Sequence, residues 1–284
     1  MLAVWSWMLA MLTIWTSGRK AMAEPIAGAQ VVSRVGRVLR VVSEHPGGVS
    51  ATAVAHATGL TRPTAHRLLT SLAAEGFVDH DPGAARWFLG PELYLLGALA
   101  ADRFDITDAA RESVLALAAE TGESAFLSAR RGAETVCLLR EDGSFPIRSF
   151  VLYEGARFPL GVASAGLAIL SYLPDEEIDT YLGGSPLEER WGPQHAAAAV
   201  RERIALTRET GYALNPALIL EGSWGMGAAV FDSAGRPAWA LSLTGVESRF
   251  RPDRRAELGR LLLNHAHRVT ASLRRGTPAN GSHV

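Results

Sequence analysis

Apolar and polar positions follow two periods along this chain, and the change of period divides it. Up to residue 90 the spacing is helical. Val31, Val35, Val38, Leu39 and Val42 make one stripe with Arg34, Arg37 and Arg40 between them, and His45-Pro46-Gly47-Gly48 ends that helix. Ser50 to Gly59 reads as a short Ala-rich helix closed by a glycine. Three or four residues later Ala65, Leu68, Leu69 and Leu72 recur at i, i+3, i+4 and i+7, a single apolar stripe on a further helix. Thr61 stands where its hydroxyl can cap the open amides, and Pro63 lies in the first turn, where its missing N–H costs nothing. Gly76 to His80 and Arg86 to Leu89, flanking Asp81-Pro82-Gly83, read as a hairpin. Three helices with this spacing and a hairpin predict a winged helix-turn-helix over residues 28–90.

Beyond it, Leu93, Leu96, Gly97 and Ala100 predict a linker helix within 91–106, and residues 107–275 mix both periods. Asp105-Ile106-Thr107-Asp108 offers an N-cap for a helix over 109–120. Residues 124–139 read as strand, Arg130-Arg131-Gly132 turn, strand; Glu141-Asp142-Gly143 turns again, and 147–152 reads as a third strand. Small residues from Gly161 to Gly166 lead into an apolar helix. Pro174-Asp175-Glu176-Glu177 starts another, and 193–211 carries an Ala-rich one. Residues 222–230 and 238–244 alternate as strands about Asp232-Ser233-Ala234-Gly235-Arg236. The last helix starts at Arg251-Pro252-Asp253 and turns Leu258, Leu261, Leu262 and His265 to the core; 276–284 is expected to be a disordered tail. The class is α+β, two domains joined by a helix.

Composition adds little and excludes something. A chain of 284 residues is long for one domain, and 48% hydrophobic with 20% charged residues describes an ordinary globule. The formal net charge of −1 gives no sign of nucleic acid, but between residues 30 and 90 six arginines oppose four carboxylates, a modest basic footprint that a dimer doubles. The one cysteine, Cys137, excludes an internal disulfide and a Cys-based zinc site, and inside a strand it reads as a small core residue. Met1 to Thr16 is apolar and Trp-rich. A secretory signal carries its positive charge before the apolar run, whereas Arg19 and Lys20 follow it here, and the run is short of the ~20 residues that span a bilayer. Residues 1–27 therefore read as an N-terminal extension of a cytoplasmic protein, with Met22 a candidate start; a membrane anchor is the alternative.

Two stretches carry candidate chemistry. Opposite the stripe of Ala65 and Leu69 lie Arg62, Pro63, Thr64, His66, Arg67, Thr70 and Ser71, with no carboxylate before Glu75. Short donors and an arginine on one helix face suit base edges and phosphates in the major groove of DNA; a helical cap without a ligand is the plainer reading. At the start of the helix after Gly161, unpaired amides and the positive dipole end attract an anion, and Ser164 adds a hydroxyl. Close helix–sheet packing explains the small residues equally well. Other motifs fail. Gly161 to Gly166 has one residue too many for G-x-S-x-G, and Gly222 to Gly227 reverses the spacing of G-x-G-x-x-G. His265 and His267 point to different sides of their helix. No catalytic residue, metal site or cofactor is expected.

Thr58 to Leu69, Gly155 to Leu170 and Arg208 to Gly245 resemble, in that order, the recognition region, the opening of the effector domain and the closing sheet of the IclR family of bacterial transcriptional regulators. The resemblance covers about 30–273. It implies a winged helix-turn-helix joined by a linker helix to a GAF-like α/β effector-binding domain. It further implies a homodimer or tetramer on a palindromic double-stranded DNA operator, answering to a small organic acid and independent of any membrane. Carried over one at a time, the family's pocket positions are Ser164 and Ala165 at the helix start, Asn215 where an acid is usual, Gly225, and Ser242 with Thr244. The departure after Gly211-Tyr212-Ala213, an apolar Pro216-Ala217-Leu218-Ile219-Leu220 with Trp224 nearby, favours a bulkier or aromatic acid. The competing class is a membrane-tethered sensor whose helical part binds protein.

Overall fold

The computed structural model describes residues 30–101 and 106–276, in two compact units that divide between Phe104 and Asp105. The expected extension over 1–27 lies outside the described residues, as does the tail beyond Gly276.

In the first unit α1 (Gln30–Ser43), α2 (Ala51–Thr58) and α3 (Arg62–Ala74) close on Val38, Val42, Val54, Ala65, Leu69 and Trp87. Ser50 caps α2, its Oγ accepting from the Ala53 amide at 3.2 Å. Gly59 ends it at φ 68°, a left-handed turn that favours glycine. Thr61 occupies the cap position of α3, yet its hydroxyl pairs with Thr64 Oγ1 at 2.8 Å and reaches no amide. Strands β1 (Val78–Asp81) and β2 (Arg86–Leu89) form the antiparallel wing, and Val49 bridges to Trp87 beside it. Two expected stripes are corrected. In α1 Val41 is buried and Val31 is 58% exposed, so the stripe is turned and the first turn overhangs the core. In α4 (Pro91–Ala101) Leu93 of the expected stripe is half-buried and Leu96 is 46% exposed, and Tyr94, Leu95 and Leu99 are exposed as well.

The second unit is a six-stranded antiparallel sheet in the order β5-β4-β3-β8-β7-β6. Its helices and strands, in chain order, are α5 (Ile106–Thr121), β3 (Ser124–Arg131), β4 (Glu134–Glu141), β5 (Arg157–Pro159), α6 (Ser164–Ser171) and α7 (Asp175–Gly184). There follow α8 (Leu187–Trp191), α9 (Ala197–Thr210), β6 (Ala213–Pro216), β7 (Ser223–Phe231), β8 (Pro237–Val246) and α10 (Pro252–Gly276). One face packs Leu127, Met226, Val230 and Leu241 against Val114 and Leu117 of α5 and Leu258 and Leu262 of α10. The other packs α6, buried along its whole length. Arg208 of α9 donates through Nε to the Ser171 carbonyl at 2.7 Å and through Nη2 to Asp175 at 2.7 Å, closing the C-terminal end of α6. The buried Glu123 carboxylate accepts from Arg249 and Arg254, each at 2.7 Å, and ties the start of β3 to the start of α10. This helix–sheet–helix arrangement is the GAF-like domain of an α+β protein.

Residues 147–152 form no strand; β5, three residues long, takes that edge of the sheet. The Ser149 hydroxyl binds Ser223 Oγ at 2.6 Å and receives the Val151 amide at 3.4 Å, so a local turn wins over a ladder. β6 is an addition that no alternation in Ala213–Pro216 announced. Cys137 is buried, and burial pushes its thiol up to about 12, which leaves it inert.

Candidate functional site

In the first unit the outward face of α3 carries the expected residues. Arg62, Pro63, His66, Arg67, Thr70 and Ser71 are exposed, and Thr64 is half-buried. Arg62 and Arg67 make no hydrogen bond or ion pair among the described residues, so both guanidinium groups stay available. His66 is held in place: its ring meets the buried Trp87 edge-on at 6.0 Å, and Nδ1 lies 3.4 Å from Thr70 Oγ1. His80 of the wing stacks on Trp87 at 4.2 Å, so helix and wing lean on one indole. Two of the arginines counted in the basic footprint brace the fold. Arg37 donates to the Thr58 carbonyl at 3.3 Å and Arg86 to the Gly48 carbonyl at 2.7 Å.

In the second unit Ser164, Ala165, Asn215, Gly225, Ser242 and Thr244 all line one cavity between α6 and the sheet. Antiparallel register explains the meeting. Gly225 pairs with Thr244 and Gly227 with Ser242, so these positions share the face that α6 covers. A Cβ on Gly225 would lie 3.0 Å from Ser164 Oγ, and one on Gly227 only 2.6 Å from the Ser164 carbonyl. Glycines thus let the helix start rest on the strand, the close helix–sheet packing that small residues permit. The Ala163 cap puts no side chain on the open amides of α6. Ser242 Oγ and Thr244 Oγ1 are buried without a hydrogen-bond partner, a state that buried polar atoms rarely keep unless something else binds them.

Asn215 reads differently in place. Its Nδ2 donates to the Val162 carbonyl at 2.6 Å and its Oδ1 receives the Leu218 amide at 3.1 Å, so it braces the loop before α6. Trp224 borders the cavity, but its ring belongs to the opposite face, among the residues packed under α10 and 6.5 Å from Phe250. Strand alternation sends Gly225 one way and Trp224 the other, which removes one support for an aromatic ligand. The sequence reading missed Ser128, Thr135 and Phe158 in the lining, and Val151 with Leu152, which descend from the 147–152 segment. Ser128 was within reach of alternation on β3, but only its pairing with Ala240 of β8 puts it on the cavity face. The lining has no charged side chain, so it offers neutral donors and helix-start amides and no base to activate Ser164. About 30 Å³ is open to the centre of a water molecule, room for about two waters.

Comparison with known proteins agrees with both units. The family model described as the IclR helix-turn-helix domain matches residues 31–82, and that described as bacterial transcriptional regulator IclR C-terminal matches residues 98–271. The regulator KipR of Bacillus subtilis is 29% identical over 198 residues, 69% of this chain and 78% of its own. An IclR transcriptional regulator from Alicyclobacillus acidocaldarius superposes with a TM-score of 0.72 at 26% identity, covering 86% of this chain and 98% of that one. An IclR homologue from Microbacterium hydrocarbonoxydans, solved with 4-hydroxybenzoate, gives 0.72 at 20% identity, covering 87% and all of its chain. The reading of the helical part as a protein-binding module finds no support, and among the described residues no helix is long and apolar enough to cross a membrane. A helix-turn-helix with a free basic face, a GAF-like domain with a partnerless polar cavity and both family matches lead to one statement: the chain belongs to the IclR family of DNA-binding bacterial transcriptional regulators.

Proposed function

We propose that the chain acts in the cytoplasm as a homodimer on a palindromic operator and responds to a small organic acid bound in the α6 cavity. The observation that carries the ligand reading is the pair of buried, partnerless hydroxyls of Ser242 and Thr244 facing the uncapped start of α6. A carboxylate there accepts from both hydroxyls and from the first amides of the helix, without any basic side chain. The cavity is small in this form, so a two- to four-carbon acid fits with least movement; an aromatic acid requires the segment bearing Val151 and Leu152 to move outward. The Microbacterium relative holds an aromatic acid, but at 20% identity that relative speaks to the fold. On the DNA side, Arg67, Thr70, His66 and Thr64 contact base edges or phosphates and Arg62 a phosphate. The exposed apolar residues of α1 and α4 are the surface a second copy covers.

Ligand control requires that the acid bind two head spacings with different affinity. The test is a pair of variants on the full chain. Arg67→Ala lowers operator affinity at matched salt and leaves the heat of acid binding unchanged. Ser242→Ala with Thr244→Val raises at least tenfold the acid concentration needed to change operator binding and leaves acid-free operator affinity unchanged. An operator response to the acid that survives the second variant refutes this cavity as the effector's place.

A further inference from the structure

Strand β6 has a second side. Asn215 looks into the cavity beneath α6, while its neighbour Leu214 looks into another, between α9 and the first turns of α10. About 250 Å³ is open there to the centre of a water molecule, against about 30 Å³ in the first. Leu206, Leu214, Pro252 and Ala256 give it apolar wall, Thr207, Thr210 and Tyr212 line it as well, and two arginines complete the lining, Arg203 of α9 and Arg255 of α10. Arg203 Nε and Nη1 and Arg255 Nε are buried and have no acceptor. Arg203 spends Nη2 on the Gln194 carbonyl at 3.1 Å, and Arg255 lies 5.4 Å over the Trp224 ring. No carboxylate lines the cavity, and neither arginine has an ion pair among the described residues.

Buried guanidinium donors without acceptors are costly, and burial draws Arg203 down to about 10, where it still carries its charge at neutral pH. A planar oxyanion is the group that a pair of guanidinium forks satisfies, and the apolar walls call for a hydrocarbon body on it. We propose that the α9–α10 cavity is a second ligand site, taking a small organic carboxylate whose acid group lies between Arg203 and Arg255 and whose apolar part rests on Leu206, Leu214 and Ala256. The site shares no residue with the α6 cavity. It touches that cavity mechanically, because Arg255 sits over Trp224 and Trp224 lies on β7 between Ser223 and Gly225, which line it. A carboxylate drawing Arg255 toward Arg203 changes what holds that strand, so the two sites are coupled.

Calorimetric titration of the full chain with sodium benzoate tests this, with inorganic phosphate as a parallel arm. Benzoate binding is expected to weaken at least tenfold in Arg203→Gln with Arg255→Gln and in Ala256→Phe, which fills the groove and keeps both charges. It is expected to persist in Ser242→Ala with Thr244→Val, which separates this site from the one beneath α6. If the arginine pair cannot be folded, Ala256→Phe decides alone. Absence of benzoate binding, binding unchanged in a folded Ala256→Phe, or binding lost only with Ser242 and Thr244 overturns the proposal. Phosphate binding as tight as benzoate overturns its organic part.

Discussion

Ser242 is fully buried and Thr244 is 9% exposed, and each carries a hydroxyl that the protein leaves unbound. A buried hydroxyl that no protein group satisfies costs about 1–3 kcal/mol. Thr244→Val is therefore expected to raise the stability of the ligand-free chain, by about 1 kcal/mol in urea unfolding, while it weakens acid binding. A loss of stability would mean that the hydroxyl has a structural partner. Gly227 supports the same site from below. With its Cβ position 2.6 Å from the Ser164 carbonyl, Gly227→Ala must push α6 off the strand, at a cost of about 1–3 kcal/mol, and should lower acid affinity along with it. At this scale the sequence reached Ser242, Thr244 and Gly225 through the family resemblance, with alternation placing the two hydroxyls on one face. It was silent for Ser128 and Thr135, ordinary strand hydroxyls until register sets them around a void.

Among the elements, α3 was the most legible, since a 3.6-residue stripe and a first-turn proline are local signals, and Ala65, Leu69 and Leu72 are buried as the stripe requires. Residues 147–152 were the least legible. Their apolar composition suits a strand, but Ser149 takes the Ser223 hydroxyl and the segment folds over the cavity. α4 shows the limit from the other side. Its leucines fit a helix and say nothing of which face is covered, and Tyr94 and Leu99 are 78% and 77% exposed. In the proposed dimer the second copy covers them. Leu95→Glu with Leu99→Glu is then expected to shift sedimentation from dimer to monomer and to weaken operator binding, because each half-site loses its tethered partner. A variant that stays dimeric moves the interface elsewhere.

Across the whole molecule the two buried histidines make the effector unit sensitive to acid. Burial, and after it the charge of Arg203, hold His195 below the ordinary imidazole range; burial lowers His265 too, against the pull of Glu120 at 3.5 Å. Both groups take up a proton more readily unfolded, near pH 6.5, than folded. Their neutral forms leave the fold intact above that pH, and stability falls as the pH drops from about 6.5 toward their folded values. The melting temperature is expected to decline between pH 7 and 5.5, and more shallowly in His265→Gln; an unchanged slope would assign the decline to other groups. The sequence alone determined the local and periodic features, namely the helix-turn-helix, the exposed basic side of α3, the alternating strands and, through three ordered resemblances, the family. Tertiary structure decided what depends on residues far apart in the chain. It assigned Asn215 to bracing, turned the Trp224 ring away from the α6 cavity, brought Val151 and Leu152 to that cavity and placed Arg203 and Arg255 in the lining of another. Helix and turn preferences act over a few residues, whereas strand register and the faces of a sheet are fixed only when distant segments pair.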